Sequence, residues 1–524
     1  MNSDVDVAIV GAGHNGLACG AYLACAGLSV LVLEARAVIG GSSATVDALG
    51  ARINICNCDH VMIRNTPIVE ELGLTTLGLD YLDVEPGMVN LMWDGGKPWA
   101  LFKDVDRTLE SISMAYPSQV AAYKRYLEIA LPIARIILNL SNEIPTRTAI
   151  GRLMAKSSPR AIANLVGWSR RSATDVLRSF FTEDGLCVPA IVNGPASSGA
   201  SPDSKGTGLA ALGYAIRHLV GTSRPTGGSG ELAASLRRAL ERRNGQVRLS
   251  SQVVRVLVEG RRAWGVELAN GETIKAPIVV SAIDPRSALL SWFTEPPSEL
   301  LPLMAKARRR RQIDGYESKL DAVVSNLPRF KAYDPRIFQK LGVDEPLVAT
   351  TYLSGTIEEI RSGYRLMAAG RMTEQLMHFV NVPSVLDSSM RVSGPAGAHV
   401  FSLETLYTPL MLADGAWEQS AEPERWLENF ATLVEPGFLE GVQRWRVVTP
   451  DIYETDFHLP RGVPPAFKVR PLDLILGRDP ELIGYRTALD GFYLTGSGTY
   501  PGAGVWGASG RNTATAILRN LKAH

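Results

Sequence analysis

The stretch DVAIVGAGHNGLACGAYLACAGLSVLVLEARAVIGG, residues 6–41, decides the fold of this chain. Its apolar run VAIV at residues 7–10 is typical of a buried parallel strand, and a second apolar run follows at residues 28–33. The segment between them is rich in Gly and Ala, which favours a helix lying close on a sheet. The stretch therefore predicts one strand–helix–strand unit of a Rossmann-like α/β domain.

The turn between the first strand and the helix has the pattern G-x-G-x-x-G. Gly11 permits the tight turn, Gly13 lets backbone approach a pyrophosphate, and Gly16 lets the helix and strand pack closely. The first N–H groups of the helix favour the negative charge of phosphates. Glu34 ends the second strand, where a carboxylate can accept hydrogen bonds from both hydroxyls of an adenosine ribose. The combination predicts a dinucleotide site; the alternative is a glycine-rich turn that binds nothing.

A second glycine-rich region lies near the C-terminus. Residues 489–498 are typical of a turn, a strand and a glycine-rich turn, and residues 501–510 of a second glycine-rich approach that opens a helix. An NAD site has no need of such a segment, whereas the ribityl and isoalloxazine of a flavin extend beyond the pyrophosphate. A helix N-terminus there would stabilise the reduced, anionic ring. The paired motifs predict FAD, held non-covalently because the C-terminal turn has no Cys or His that could link to the ring.

These motifs resemble the phytoene-desaturase and amine-oxidase superfamily of FAD oxidoreductases. The resemblance rests on the N-terminal stretch with its second glycine pair Gly40-Gly41, on GSGTYPGAGVWGASGRNTA at residues 496–514, and on TPDIYETDF at residues 449–457. Within the superfamily the chain is most similar to the phytoene-dehydrogenase-like branch that includes pyridine nucleotide-disulphide oxidoreductase domain-containing flavoproteins. Relatives often carry a histidine where this chain has Tyr500, and a Gly-Gly followed by histidine where it has PPAFKV at residues 464–469. Both departures lie where a substrate pocket is expected.

The resemblance also implies which residues hold the cofactor, with the backbone of Val253 beside the adenine. The expected cofactor-binding residues are Gly11, Gly13, His14, Asn15, Gly16, Glu34, Ala35, Arg36, Gly40, Gly41, Ser42, Val253, Ala282, Gly496, Ser497, Gly504, Val505 and Trp506.

The residues expected near the substrate are aromatic and polar. Trp506 falls where the resembling amine oxidases place an aromatic side chain beside the isoalloxazine, and Tyr500 precedes it in the same turn. In the resembling family the segment after the second glycine pair passes beside the flavin, so Asn57, Asp59 and His60 are the first polar groups expected at the active site. The alternatives are that Trp506 packs as core and that the polar groups satisfy turn backbone.

The predicted FAD-binding domain is discontinuous, because both glycine-rich ends must converge on one cofactor. It comprises residues 1–73, 203–285 and 481–524; residues 74–202 form a helical insertion that caps the substrate, and residues 286–480 form a mixed α+β substrate domain. Within these parts the pattern predicts strands at 322–327 and 397–403, helices at 370–379 and 423–434, and a helix at 120–140 interrupted at Pro132.

The composition fits a soluble globular enzyme. A net charge of +1 argues against a nucleic-acid partner, and no run of about 18 uncharged apolar residues predicts a membrane span. We expect no signal peptide, because the chain opens without a basic, cleavable apolar segment. The five cysteines form no CxxC, which argues against a dithiol mechanism, and Cys56-x-Cys58 with His60 lacks the second ligand pair of a zinc site, so no metal is expected.

Residues 144–174 contain basic residues and no acid, with apolar residues between them. Such a patch can lie on an anionic bilayer, or it can be a solvated helical face. We expect a cytoplasmic protein with at most weak peripheral membrane contact through this segment.

The predicted function is that of an FAD-dependent oxidoreductase that removes hydride from a C–H or C–N bond of a largely apolar small molecule. Oxygen or a quinone would reoxidise the cofactor, because no second nucleotide motif for NAD(P)H is visible. One alternative is a redox-neutral isomerase of a polyene-like substrate that keeps its flavin reduced. Another is a flavin-bound scaffold without turnover.

Overall fold

The computed structural model describes residues 3–56, 58–93, 96–192, 200–310, 312–392, 397–463 and 477–523. Its strands are β1 Val7–Val10, β2 Val30–Leu33, β3 Thr45–Ala48, β4 Ala51–Asn54, β5 Tyr81–Asp83, β6 Met88–Met92, β7 Trp99–Leu101, β8 Ser223–Pro225, β9 Gln246–Arg248, β10 Val253–Glu259, β11 Arg262–Leu268, β12 Thr273–Lys275, β13 Ile278–Ser281, β14 Gly315–Val324, β15 Thr351–Ser354, β16 His378–Asn381, β17 His399–Pro409, β18 Val442–Val448 and β19 Phe492–Leu494.

Its helices are α1 His14–Cys25, α2 Ile68–Glu71, α3 Val105–Ala115, α4 Val120–Ser141, α5 Arg147–Lys156, α6 Pro159–Arg170, α7 Ala173–Arg178, α8 Asp184–Val192, α9 Gly213–Val220, α10 Gly230–Glu241, α11 Pro285–Ser291, α12 Leu301–Arg309, α13 Pro335–Lys340, α14 Ile357–Ala368, α15 Pro383–Leu386, α16 Glu422–Ala431, α17 Pro450–Thr455, α18 Pro480–Gly484 and α19 Ala508–Ala523.

A parallel five-stranded sheet takes its strands from both ends and the middle of the chain, in the order β19-β13-β1-β2-β9. It is covered on both faces, which explains why the four residues of β1 are all buried. Ile9 packs in a core shared with α1, α10 and α19, whereas Val10 packs in a core shared with β10–β12, α11 and α12. The Rossmann-like α/β fold class is confirmed.

A second, seven-stranded sheet has the order β18-β14-β17-β16-β15-β6-β7 and is antiparallel except between β15 and β6. One of its faces packs on an aromatic core that contains Phe401, Trp426 and Phe430. The range 74–202, predicted to be helical, contributes the strands β6 and β7 to this sheet as well as the helices α3–α8. The division of the chain into three domains stays a prediction.

Helix α4 runs through Pro132 without a break, so the predicted interruption is wrong. Proline removes a backbone hydrogen bond and costs about 3 kcal/mol in a helix interior. Burial of the helix offsets this cost. Four residues of the same helix are fully buried in the helical core: Tyr123, Tyr126, Ala130 and Ala134.

The predicted helix at residues 370–379 is also wrong. Helix α14 ends at Ala368, Gly370 has a left-handed φ of 71°, and residues 378–381 form β16 between β15 and β17. The predicted strands at 322–327 and 397–403 exist but are displaced, since β14 begins at Gly315 and β17 continues to Pro409. Charged residues within both strands interrupt the apolar pattern of the sequence. Pairing with neighbouring strands therefore extends each strand beyond the bounds that the pattern predicts.

Within the part of the chain that the structure describes, no helix is both long enough and apolar enough to cross a membrane. The segment PPAFKV at residues 464–469 and the predicted site residue Asn57 lie outside the described residues.

Candidate cofactor and substrate site

A cavity of about 470 Å³ opens at the carboxyl ends of β1, β2 and β13. This is where open parallel sheets bind their ligands. Its wall contains most of the residues predicted to hold the cofactor: Gly11, Gly13, His14, Asn15, Gly16, Glu34, Ala35, Arg36, Gly40, Gly41, Ser42, Val253, Ala282, Gly496 and Ser497. The N-terminal turn, the middle segment and the C-terminal turn therefore meet at one cavity.

The glycine-rich turn after β1 has the shape that the motif requires. Gly11 has a left-handed φ of 108°, and a Cβ on Gly16 would lie 2.1 Å from the carbonyl oxygen of Gly11. A Cβ on Gly13 would meet no atom of the described residues within 4 Å, so this backbone is open to the cavity. The turn is thus a cradle that a phosphate can enter.

The Glu34 carboxylate is buried at the wall of the cavity and anchored at both oxygens. The Ala12 N–H donates to Oε2 at 2.8 Å, and the Arg36 N–H donates to Oε1 at 3.0 Å. These two bonds hold the carboxylate in place beside the turn, while its remaining lone pairs can accept from a ligand.

Two buried polar atoms at this cavity have no hydrogen-bond partner among the described residues. They are Oδ1 of Asn15 and Nη1 of Arg36. Buried polar groups are normally paired, so these atoms fit a polar ligand in the cavity. The Arg36 guanidinium also lies over the Phe457 ring, 4.3 Å from its centroid. The residues present therefore fit FAD.

His14 is the first residue of α1 and contacts both Asn15 and the C-terminal segment. Its Nε2 is 3.0 Å from Asn15 Nδ2, and the backbone of Gly504 hydrogen-bonds the ring. Burial lowers the pKa of His14 to about 4, so the imidazole is neutral at physiological pH. Gly504 thus reaches this region without being part of the cavity wall, and Val505 packs against the core of the parallel sheet.

Trp506 lies in a small apolar cluster and not in the wall of the cavity. It packs with Leu138 and Ala508, and its Nε1 donates to the Ala503 carbonyl at 2.7 Å. Because the ring packs against apolar residues and its Nε1–H has a hydrogen-bond acceptor nearby, the structure favours the alternative in which Trp506 is core. That Trp506 contacts the cofactor and the substrate stays a prediction.

Tyr500 is likewise buried away from the cavity. It packs with Leu140, Ile150 and Ile483, and its carbonyl accepts a hydrogen bond of 2.8 Å from the Tyr485 hydroxyl. Burial raises the pKa of Tyr500 well above its usual value, so the phenol stays protonated at neutral pH. The role of Tyr500 at the substrate stays a prediction.

His60 is fully buried with both ring nitrogens engaged. Nδ1 is 3.0 Å from the Tyr81 hydroxyl and Nε2 is 2.6 Å from the Ser229 hydroxyl. Burial lowers the pKa of His60 to about 3, and it therefore stays neutral. Both ring nitrogens are thus engaged by side-chain hydroxyls and not by turn backbone, and the predicted place of His60 at the active site stays a prediction.

Asp59 belongs to a buried network that joins the loop after β4 to the seven-stranded sheet. The Arg224 Nε donates to Asp59 Oδ1 at 2.7 Å, and the Thr350 hydroxyl donates to Oδ2 at 2.5 Å. Arg224 also donates to Asn381 Oδ1 at 3.0 Å. The carboxylate is thus committed to holding two parts of the fold together, which argues against a catalytic role.

The sequence analysis did not identify a row of charged residues on the face of the seven-stranded sheet that contacts β3 and β4. Glu317, Lys319 and Asp321 alternate along β14, and Glu404 of β17 stands opposite Lys319. The alternation E-x-K-x-D at residues 317–321 is visible in the sequence, but charged residues are seldom buried, so the pattern does not by itself indicate an interior face. Glu404 is only 7% exposed.

Two parts of the chain match known families. Residues 9–65 match a family described as NAD(P)-binding Rossmann-like domain, and residues 164–319 match one described as flavin containing amine oxidoreductase.

Two curated relatives match along nearly the whole chain. Pyridine nucleotide-disulfide oxidoreductase domain-containing protein 2 of Mus musculus is 27% identical, covering 100% of this chain and 94% of the relative. The lycopene-forming phytoene desaturase of a Paracoccus species is 25% identical, covering 97% and 96%. Among solved structures, putrescine oxidase bound to putrescine has a TM-score of 0.63 at 18% identity and covers 99% of both chains. The last similarity concerns the fold alone.

Proposed function

We propose that this chain, whose sequence resembles and whose fold matches the flavin amine-oxidase and phytoene-desaturase superfamily, removes hydride from a C–H or C–N bond of a largely apolar small molecule. The observation that carries this proposal is the cavity on which the Gly11–Gly16 turn, Glu34 and the Gly496-Ser497 turn converge. It joins the two ends of the chain at the carboxyl edge of one parallel sheet, as an extended dinucleotide requires.

We propose that each part of FAD is held by a different part of the cavity. The Gly11–Gly16 turn with the N-terminus of α1 would hold the pyrophosphate, Glu34 the ribose, and Val253 the adenine. The Gly496-Ser497 turn would lie at the flavin end. Its shape is held by Ser509, whose hydroxyl accepts the Gly496 N–H at 2.9 Å. When bound, FAD supplies the hydride acceptor.

We further propose that oxygen or a quinone receives the electrons and that the protein works in the cytoplasm. The basic segment offers an electrostatic surface at most. Leu165 and Trp168 are buried and Ile162 and Val166 are half-buried, while Arg152, Lys156 and Arg160 are exposed, so the segment presents more charge than apolar surface. Its contact with an anionic bilayer would therefore be weak and would disappear at high salt.

The proposal is tested on the purified full-length protein by its flavin spectrum and by anaerobic mixing with a panel of apolar C–H and C–N substrates. We expect a yellow protein that releases all its flavin on acid precipitation and that is bleached by one substrate class. Flavin retained on the pellet would contradict non-covalent binding. Product formed only after prior reduction, without net electron transfer, would show the isomerase instead, and no bleaching by any substrate would leave the scaffold.

A further inference from the structure

Arg217 of α9 is a buried cation that forms no ion pair with any acid of the described residues. Its side chain is only 7% exposed, and its one hydrogen bond there runs from Nη2 to the Tyr352 hydroxyl at 3.4 Å. Its Nε is buried and has no hydrogen-bond partner. Burying a charge without a counterion costs several kcal/mol, so this arginine lacks a neutralising group.

The unpaired edge of the Arg217 guanidinium is turned toward the seven-stranded sheet. Nε–H and Nη2–H lie along the same edge of the planar group, and Nη2 faces Tyr352 of β15. This edge is the fork that binds the two oxygens of a carboxylate. Burial raises the pKa of Tyr352, so its hydroxyl keeps a hydrogen that it can also donate.

A second, independent observation comes from Asn90 of β6. The register of β6 with β15 places Asn90 beside Tyr352 on the same face of the sheet. Asn90 is 1% exposed, yet neither its Nδ2 nor its Oδ1 has a hydrogen-bond partner in the part of the chain that the structure describes. Buried amides are normally paired, so two elements leave polar atoms unsatisfied at the same tyrosine.

Arg224 of β8 adds positive charge to the same part of the sheet. Its Nη2 donates to the Thr350 hydroxyl at 3.2 Å, two positions before Tyr352 and therefore on the same face. Its Nε forms an ion pair of 2.7 Å with Asp59. Two buried arginines thus share one paired acid, and the charge of Arg217 stays in excess.

The next acid along this face does not supply the missing counterion. Glu404 is separated from Tyr352 by Phe379, whose ring centroid is 4.5 Å from that of the tyrosine. Burial raises the pKa of Glu404 to about 8, so this carboxyl is mostly protonated at neutral pH. The excess positive charge at Arg217 therefore fits an anion that is not part of the protein.

We propose that Arg217, Asn90 and Tyr352 bind a carboxylate group between α9 and the seven-stranded sheet. The two carboxylate oxygens accept from Nε and Nη2 of Arg217, and Asn90 Nδ2 donates to one of them. The planar, two-oxygen shape matches the fork of the guanidinium. None of the three residues belongs to the wall of the cofactor cavity, so the inference goes beyond the proposed function.

The first test measures thermal unfolding of the full-length protein in acetate and in acetamide. Acetamide has the shape of acetate without its charge, and all samples have the same ionic strength, set with sodium chloride. A ligand that binds the folded state raises the unfolding midpoint. We expect a saturable rise with acetate and none with acetamide. Equal effects of the two compounds would overturn the inference.

Two substitutions locate the binding of acetate. Arg217→Met removes the charge and Asn90→Leu removes the amide, each with little change in size. Both should raise the acetate concentration that gives half of the effect at least tenfold. Arg125→Met is the control, because it makes the same chemical change on the exposed side of α4, which packs against α9. A response to acetate that survives in Arg217→Met would overturn the inference.

A crystal structure of the unaltered protein with acetate covers the case in which the variants do not fold. We expect planar density within hydrogen-bond distance of Arg217 Nε and Asn90 Nδ2. A water molecule or no density at this position would overturn the inference.

Decanoate distinguishes two sources of the carboxylate. Tighter binding than acetate together with a perturbed flavin spectrum would assign the carboxylate to one end of a substrate. Equal affinity without a spectral change would assign it to a free small carboxylate, and either outcome supports the site. Flavin content and bleaching by an uncharged substrate report separately on the oxidoreductase, so failure of one proposal is distinguishable from failure of the other.

Discussion

Glu34 is the residue on which the cofactor prediction depends most directly. Its carboxylate accepts the N–H groups of Ala12 and Arg36 and borders the cavity. Glu34→Ala should weaken FAD binding by about 1.5–3 kcal/mol, because charge-assisted hydrogen bonds to the ribose are lost. The measurement is a titration of apoprotein with FAD. Glu259→Ala, an exposed change at the end of β10, is the control, and unchanged affinity in Glu34→Ala would show that Glu34 does not hold the ribose.

Burial of neutral His60 should lower the free energy of unfolding of the protein at acid pH. Its pKa is lowered from 6.5 to about 3 by burial. Below pH 6.5 the unfolded chain binds a proton that the folded protein does not, so the free energy of unfolding decreases by about 1.4 kcal/mol per pH unit as the pH falls toward 3. The contribution is absent above pH 6.5.

Denaturant unfolding at pH 7 and pH 5 measures this effect. The decrease between the two should be about 2 kcal/mol smaller in His60→Gln than in the unaltered protein, because the variant has one titrating group fewer. Equal decreases in both proteins would contradict the assignment of the lowered pKa to His60.

Helices α1 and α19 approach each other so closely that a small residue is needed between them. A Cβ on Gly510 would lie 2.1 Å from the carbonyl oxygen of Asn15. Gly510→Ala should therefore lower the free energy of unfolding by about 1–3 kcal/mol and reduce FAD content, since α1 carries the phosphate turn.

Gly167 in α6 is the matched control. A Cβ there would meet no atom of the described residues within 4 Å. Gly167→Ala should stabilise the protein by about 0.5–1 kcal/mol, because alanine loses less backbone entropy in a helix. Denaturant unfolding compares both variants, and equal effects would mean that the close approach of α1 and α19 does not limit packing.

The elements that the sequence predicted well are those with local signals. Residues 7–10 form β1 as expected, because an apolar run ended by a glycine-rich turn carries its own boundaries. The predicted strand at 322–327 misses the first part of β14, which begins at Gly315. Lys319 and Asp321 face the interior there, and their partners Asn54 and Arg446 come from other parts of the chain.

At the scale of the whole molecule, the first and last strands depend on each other. β19 pairs with β13, which pairs with β1, so deletion of residues 490–524 removes an edge of the parallel sheet and the helix α19 that covers it. The truncated protein should be colourless and insoluble. Absorbance and solubility after expression measure this.

Deletion of residues 521–524 alone is the control for that truncation. It removes the exposed Leu521 and leaves Ala514 and Ile517 in the core, so the protein should stay yellow. A yellow, soluble product from the longer deletion would contradict the shared cofactor site and the predicted discontinuous domain.

The sequence by itself determined the cofactor cradle, because a phosphate turn is made by backbone conformation within a few residues. Gly11, Gly13 and Gly16 stand between a predicted strand and a predicted helix, the context in which this spacing predicts such a turn, and the structure places all three at the cavity with Glu34.

Only the tertiary structure decided which of the predicted polar and aromatic side chains are engaged within the fold. His60 is engaged by Ser229, 169 positions away, and Trp506 packs against Leu138 of α4. Whether a polar side chain is paired depends on distant residues brought beside it by folding, and no local pattern contains that information.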